Sequence, residues 1–441
     1  MKQLFYIFLC SLVVFASCKK DVDPTPSSTV VKVQLVYPAG SELEASAGVK
    51  VTATNTTQTF EATTDAQGVA QFELPFSIYQ FTASDTHAEN GRVTILNGNL
   101  TGITVNAQFN STNIVELNLL ESKLSQLIIK ELYNGGFNKP DNSAYVFDRY
   151  VILYNNSDFP ASLNNVCLTG TYPFNAPGVN KYYDESGKLV YENDTWIPAG
   201  MGFWYLTSEK TLQPGEQIVI SCGAAVDHTA TFSNSVDLSK PNYYVMYDID
   251  NWNSATYYPS PSSNIPTNQY LKSAKFSQGN AWTYSVSSPG FFIFATDGVT
   301  PTQFGNDATS VANYPESTTQ FIKKIPKAWI LDGVDAFLMD ETSNKKRLTA
   351  DIDAGNVYHI NRKGYTLYRN VDKTATEAIA ENEGKLVYNY SKGTDDLTQG
   401  STDPSGIDAE ASIKNGARII YKDTNNSTAD FHLRREASLR D

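Results

Sequence analysis

Short runs in which apolar and polar residues alternate constrain this chain more than any other feature. Val31, Val33 and Leu35 alternate with Lys32 and Gln34, and Val49, Val51 and Ala53 with Lys50 and Thr52. Similar runs follow at 69–74, 79–83, 93–96, 103–109 and 114–119. Side chains on a strand point to opposite faces in turn, so a period of two buries one face and wets the other. Turn clusters such as Asp65-Ala66-Gln67-Gly68 and Asn97-Gly98-Asn99 separate the runs, because Asn, Asp and Gly accept the backbone angles of tight turns. Seven short strands at this spacing predict a small β-sandwich over residues 31–120.

The rest of the chain stays strand and loop. Apolar runs occur at 127–133, 150–155, 166–169 and 217–220, then at 243–247, 291–295, 328–331, 365–369, 385–390 and 418–422. Asn155-Asn156-Ser157-Asp158 is turn chemistry, and the intervening Ser/Asn/Pro/Gly loops are long enough to suggest binding or packing roles. Aromatic residues at 12% and abundant Thr, Ser, Asn and Gly favour the same all-β class over long helices.

Three family resemblances refine this expectation. Gly48-Val49-Lys50-Val51-Thr52, Thr64-Asp65-Ala66-Gln67-Gly68-Val69 and Tyr79-Gln80-Phe81-Thr82-Ala83 resemble a carboxypeptidase-regulatory-like domain. That implies an immunoglobulin- or transthyretin-like sandwich serving as a spacer or docking module. Leu127-Ile128-Ile129-Lys130-Glu131-Leu132-Tyr133, Tyr150-Val151-Ile152-Leu153-Tyr154-Asn155-Asn156-Ser157 and Leu212-Gln213-Pro214-Gly215-Glu216-Gln217-Ile218-Val219-Ile220 are similar to a lamin-tail domain. The resemblance implies a larger β-sandwich over 126–441, interrupted by inserts around 171–195 and after 222, and divisible near 226–330. Trp329-Ile330-Leu331-Asp332-Gly333-Val334-Asp335 and Ile420-Tyr421-Lys422-Asp423-Thr424-Asn425-Asn426-Ser427-Thr428-Ala429-Asp430-Phe431 resemble a Bacteroidetes lipoprotein family, the domain of unknown function 4876. That family has no assigned activity.

The amino terminus speaks to location. Lys2 precedes a largely apolar run from Leu4 to Phe15, and Ala16-Ser17 precede Cys18. The run is shorter than the ~20 residues that span a bilayer and has the order of a secretory signal. The small pair followed by Cys18 resembles a bacterial lipoprotein signal, which implies cleavage after residue 17 and lipidation of Cys18. Residues 18–30, rich in Pro and Ser, read as a solvated tether. Lys20-Asp21-Val22-Asp23 resembles the signal that sends Bacteroidetes lipoproteins to the outer face. With Cys10 in the signal and Cys18 lipidated, Cys167 and Cys222 are the remaining pair, open to a disulfide or to packing as free thiols.

Chemistry is sparsely signalled. A net charge of −13 opposes nucleic-acid binding. The histidines at 87, 228, 359 and 432 are scattered without metal-ligand spacing and read as surface residues, so neither a metal nor another cofactor is expected. Asp351-Ile352-Asp353-Ala354-Gly355 begins like a calcium loop, but Arg362 stands where the bidentate Glu would be needed. The catalytic elbows and phosphate loops of common enzymes are missing. The remaining constellation is aromatic. Tyr244, Tyr247, Asp248, Asp250, Trp252, Tyr257 and Tyr258 can stack on a sugar or metal complex while the acids orient it, or can form a strand face and its covering loop. The expected function is a non-catalytic surface lipoprotein, held to the outer membrane by its lipid, binding a nutrient or metal complex beside a TonB-dependent receptor. A structural or adhesive surface protein is the alternative, and an extracellular glycan hydrolase, needing two facing carboxylates, a third.

Overall fold

The computed structural model describes residues 28–440 apart from 40, 42, 90, 91, 111, 124 and 208. The signal segment 1–17, Cys18 and residues 18–27 of the tether lie outside the described residues. The described chain is all-β, and its longest helices, Pro301–Asn306 and Ala409–Lys414, have six residues each.

The first unit is a seven-stranded sheet of β1 (Ser28–Val36), β2 (Lys50–Thr54), β3 (Thr59–Thr63), β4 (Val69–Pro75), β5 (Ser77–Glu89), β6 (Arg92–Val105) and β7 (Ile114–Lys123). Its order is β3-β2-β5-β6-β7-β1-β4, with β1 and β7 parallel and every other pair antiparallel. A bridge between Thr64 and Ala70 joins its two edges, so the sheet curls around one core of Val31, Val33, Val51, Phe72, Phe81 and Leu117. The Asp65–Gly68 turn makes that junction. Asp65 Oδ1 accepts the Gln67 and Val69 amides at 2.9 and 3.0 Å, and Gly68 takes φ +76°, a value that costs other residues strain.

Three expectations change here. The tether ends sooner than residue 30, because Ser28, Thr29 and Val30 already pair with Pro75, Leu74 and Glu73. The runs at 93–96 and 103–109 belong to one strand, β6, which ends at Val105, and Asn97-Gly98-Asn99 is not a turn but pairs with Ser84, Ala83 and Thr82 in mid-strand. Gly98 serves close packing: a Cβ there would stand 2.8 Å from Leu117 Cγ and 2.9 Å from Leu119 Cδ2. The seventh strand is instead β3, whose Phe60 and Ala62 are only half buried and so give a weak alternation.

The second unit is built on a twelve-stranded sheet. From one edge the strands run Val357–His359, Ile330–Leu338, Gly290–Ala295, Val166–Gly170, Gly202–Tyr205, Tyr270–Lys275, Tyr244–Met246, Gln217–Ser221, Tyr150–Asn155, Leu127–Tyr133, Thr366–Arg369 and Phe431–Arg434. The two ends come together, Val357–His359 against Phe431–Arg434 and Ile330–Leu338 against Leu127–Tyr133. Across that seam the Ile129 amide donates to Asp332 Oδ2 at 2.6 Å. The curled sheet encloses Ile129, Leu153, Trp204, Ile220, Met246 and Ile293. Leu127–Tyr133 and Tyr150–Asn155 are buried along their whole length, which explains their continuous apolar sequences. Val371, Ile407, Ile419 and Tyr421 cover part of their outer face.

The section is not split near 226–330, since Tyr244–Met246, Tyr270–Lys275 and Gly290–Ala295 all join this sheet. The insert around 171–195 folds back, placing Tyr172, Tyr182 and Tyr191 over Phe203, Phe292 and Phe294 on the sheet's outer face. Stretches 385–390 and 418–422, expected as strands, pack as irregular chain joined only by single bridges such as Tyr388 to Ile407. The cysteines do not pair. Cys167 packs in the outer aromatic cluster and Cys222 in the enclosed core, and three strands lie between that of Cys167 and the one, Gln217–Ser221, that Cys222 directly follows. Burial pushes both thiols up, and Cys222 reaches about 12.

Candidate functional site

The aromatic residues singled out by sequence are mainly core. Trp252 is 0% exposed, its ring against Gly202 and its Nε1 donating to Ser273 Oγ at 3.0 Å. Asp248 Oδ2 accepts from Ser273 N at 3.0 Å, Ser273 Oγ at 2.8 Å and Asn251 Nδ2 at 3.1 Å, so its carboxylate is spent on the loop. Tyr258 exchanges bonds with Trp282, donating to its carbonyl at 2.8 Å and accepting from its amide at 3.1 Å. Tyr244 is buried beside them. Tyr247 and Tyr257 are half buried, edge-on to Tyr270 and Phe147 at 5.5 and 5.7 Å. Only Asp250 is exposed. The ligand constellation expected from sequence is therefore a packed loop, because the Tyr258 hydroxyl and the Trp252 indole nitrogen find protein partners and the other rings pack on their neighbours.

Histidine burial also corrects the sequence reading. His228, His359 and His432 are 1%, 1% and 2% exposed. His432 meets Tyr390 Oη at 2.6 Å and Asn370 Oδ1 at 2.8 Å, and burial, helped by nearby Arg434, holds it down at about 3. It is neutral at any physiological pH.

Three stretches that stood out in sequence meet in one buried ionic network. Arg369, from Thr366–Arg369, donates to the Ile129 and Lys422 carbonyls at 2.8 Å each. It also pairs with Asp332 and, at 3.2 and 3.7 Å, with Asp423 and Asp430. Asp353, from the calcium-loop-like stretch, accepts the Asp335 amide at 2.8 Å and the Ser427 amide and hydroxyl at 2.8 and 2.6 Å. Asp335 pairs with Arg347, which also donates to the Phe174 and Ser288 carbonyls at 2.7 and 2.8 Å. These carboxylates tie loops to the sheet. Burial raises Asp332, Asp353 and Asp423 despite their cations.

An open feature lies along the same segment, with Lys50 of β2 in the first unit on its wall. A cleft of about 820 Å³ runs beside the loop 391–404 and the strand Phe431–Arg434. The loop is pinned by paired backbone bonds between Thr394 and Ser401, 2.7 and 2.6 Å. A Cβ on Gly393 would strike the Ser401 carbonyl and Thr402, so only glycine permits this closure. Lys50, Lys422 and Arg435 line the cleft against one carboxylate, Asp395. Hydroxyl and amide groups from Ser391, Thr394, Gln399 and Ser401 supply much of the remaining wall. A second cleft of about 580 Å³ shares Ser391 and Arg435 with the first and adds Lys363, Lys392, Arg440, Glu436, Phe137 and Asn234. The sequence hinted at this site through the polar Gly- and Ser-bearing loop; Lys422, Thr428, Ala429 and Phe431 stood out there only as part of a family resemblance.

Comparison with known proteins places the carboxyl-terminal unit in context. Residues 213–404 match the family described as protein of unknown function, DUF4876. Among solved structures the chain is similar to a DUF4876 family protein from Bacteroides thetaiotaomicron, with 20% identity, 91% of this chain and 94% of that one covered, and a TM-score of 0.49. Fainter likenesses are to the Bacillus anthracis TIE protein (12% identity, 42% and 48% covered, TM-score 0.15) and to BcpA, the major pilin subunit of Bacillus cereus (12%, 72% and 98%, TM-score 0.16). No curated protein matches.

Proposed function

We propose that this chain is a non-catalytic binding lipoprotein of the outer-membrane surface, held by lipid on Cys18. In this reading it presents a small polar ligand to a TonB-dependent receptor. The observation that carries the reading is the polar cleft beside the 391–404 loop, a concave site of the size that small ligands occupy. Its walls offer converging donors on a loop fixed by Gly393 and the Thr394–Ser401 pairing, so little ordering is left for binding to cost. The first β-unit would serve as spacer.

A thermal-shift titration of the full chain with maltotetraose, tetragalacturonate and ferric citrate tests the cleft. At least one probe raises the melting temperature, and Ser391→Trp, at an exposed position lining both clefts, abolishes the rise. Cys18→Ala moves the protein from the membrane to the soluble fraction. Absence of any shift, or a shift that survives Ser391→Trp, overturns the binding reading; a variant that stays in the membrane overturns the anchor.

A further inference from the structure

We infer that the two adjoining clefts bind an acidic oligosaccharide, a chain of sugar rings bearing carboxylates. This rests on the binding reading above and adds its ligand class. The chain as a whole is acidic, 47 Asp and Glu to 34 Lys and Arg, yet the clefts reverse that balance. The first is lined by three cations and Asp395, and the second by Lys363, Lys392, Arg435 and Arg440 with Glu436. Some of this charge is already answered: Lys50 pairs with Glu61, Lys363 with Asp396 at 2.7 Å and Lys392 with Glu436 at 3.0 Å.

Lys422 and Arg435 are different. Among the described residues neither has a carboxylate within ion-pair distance: Lys422 acts on Asp403 and Arg435 on Asp396 only from further off, and the Arg435 guanidinium donates to the Ser391 carbonyl. Opposite charges on a partner are the natural complement, and an electropositive recess on an acidic body also excludes its own acidic neighbours. Length and wall chemistry narrow the class. The clefts share Ser391 and Arg435, so a ligand leaving the first enters the second. Hydroxyl and amide side chains such as Thr394, Gln399 and Ser401 between the cations suit the hydroxyls of sugar rings, whereas a compact anion would use one cation pair and leave the rest empty.

Calorimetric titration of the full chain with tetragalacturonate, maltotetraose and inorganic phosphate separates the possibilities. Tetragalacturonate binds, and its affinity falls about tenfold between low and moderate salt because the contacts are screened. Lys422→Ala and Arg435→Ala each weaken it about tenfold, more than any accompanying change in thermal melting accounts for, and Lys422→Arg, which keeps the charge at this half-buried position, retains binding. Equal binding of maltotetraose overturns the acidic class but leaves the binding reading standing. Phosphate binding as tightly overturns the saccharide. Binding unaffected by Lys422→Ala and Arg435→Ala overturns the site, and no binding by tetragalacturonate overturns the inference outright.

Discussion

Single residues in this protein show how chemistry that looks ligand-like becomes structure once partners are supplied. Trp252 sits in a sequence of rings and acids, yet its nitrogen bonds Ser273 and its ring fills space beside Gly202. Trp252→Ala is therefore expected to lower the unfolding free energy by about 3–5 kcal/mol, the usual cost of emptying a large aromatic site. Urea unfolding followed by fluorescence reads it. A loss below about 1 kcal/mol would mean that the indole is not packed as described.

At the scale of elements, glycine decides where a strand continues. Gly98 looks like the centre of an Asn-Gly-Asn turn but lies in mid-strand under Leu117 and Leu119. Gly98→Val is expected to destabilise the first unit by about 1–3 kcal/mol through overpacking. If the position were a surface turn, thermal melting would hardly change. The period of two was enough to read β1, β2, β4 and the first half of β5, since each has one buried and one wet face. It failed for β3, whose burial is shallow, and for the irregular stretch 418–422, whose apolar residues cap an outer face and are joined only by a single bridge from Tyr421 to Val371. The cleft was hardest to see. Its walls come from residues 391–404, 422, 428–435, Asn370 and Lys50, and nothing in the local sequence of any one announces the others.

For the whole molecule, buried titrating groups set how stability follows acidity. Burial pushes Asp148 up to about 6, while an unfolded aspartate stands near 3.9. As pH falls through 6 the folded carboxyl takes its proton first, so stability is gained between pH 6 and 4. His359, held down at about 4 by burial, acts in the opposite sense, losing stability below about 6.5 as the unfolded imidazole charges. Asp148→Asn removes the gain alone. Relative to the parent, the variant is expected to lose about 2 kcal/mol between pH 7.5 and 4, measured by urea unfolding at each pH; a constant difference would place Asp148 in contact with water.

The strand Leu127–Tyr133 has one neighbour close by in sequence, Tyr150–Asn155, and another, Thr366–Arg369, more than two hundred residues further on. Loop closure over such a distance is entropically slow, and contacts of this kind lengthen folding times. While the later strand is still searching, the earlier one presents an unmet row of amides and carbonyls to any passing chain. The same long-range pairing that completes the sheet thus makes its assembly slow and sensitive to crowding by its own kind, and a helper that shields the bare edge should raise the yield of refolding.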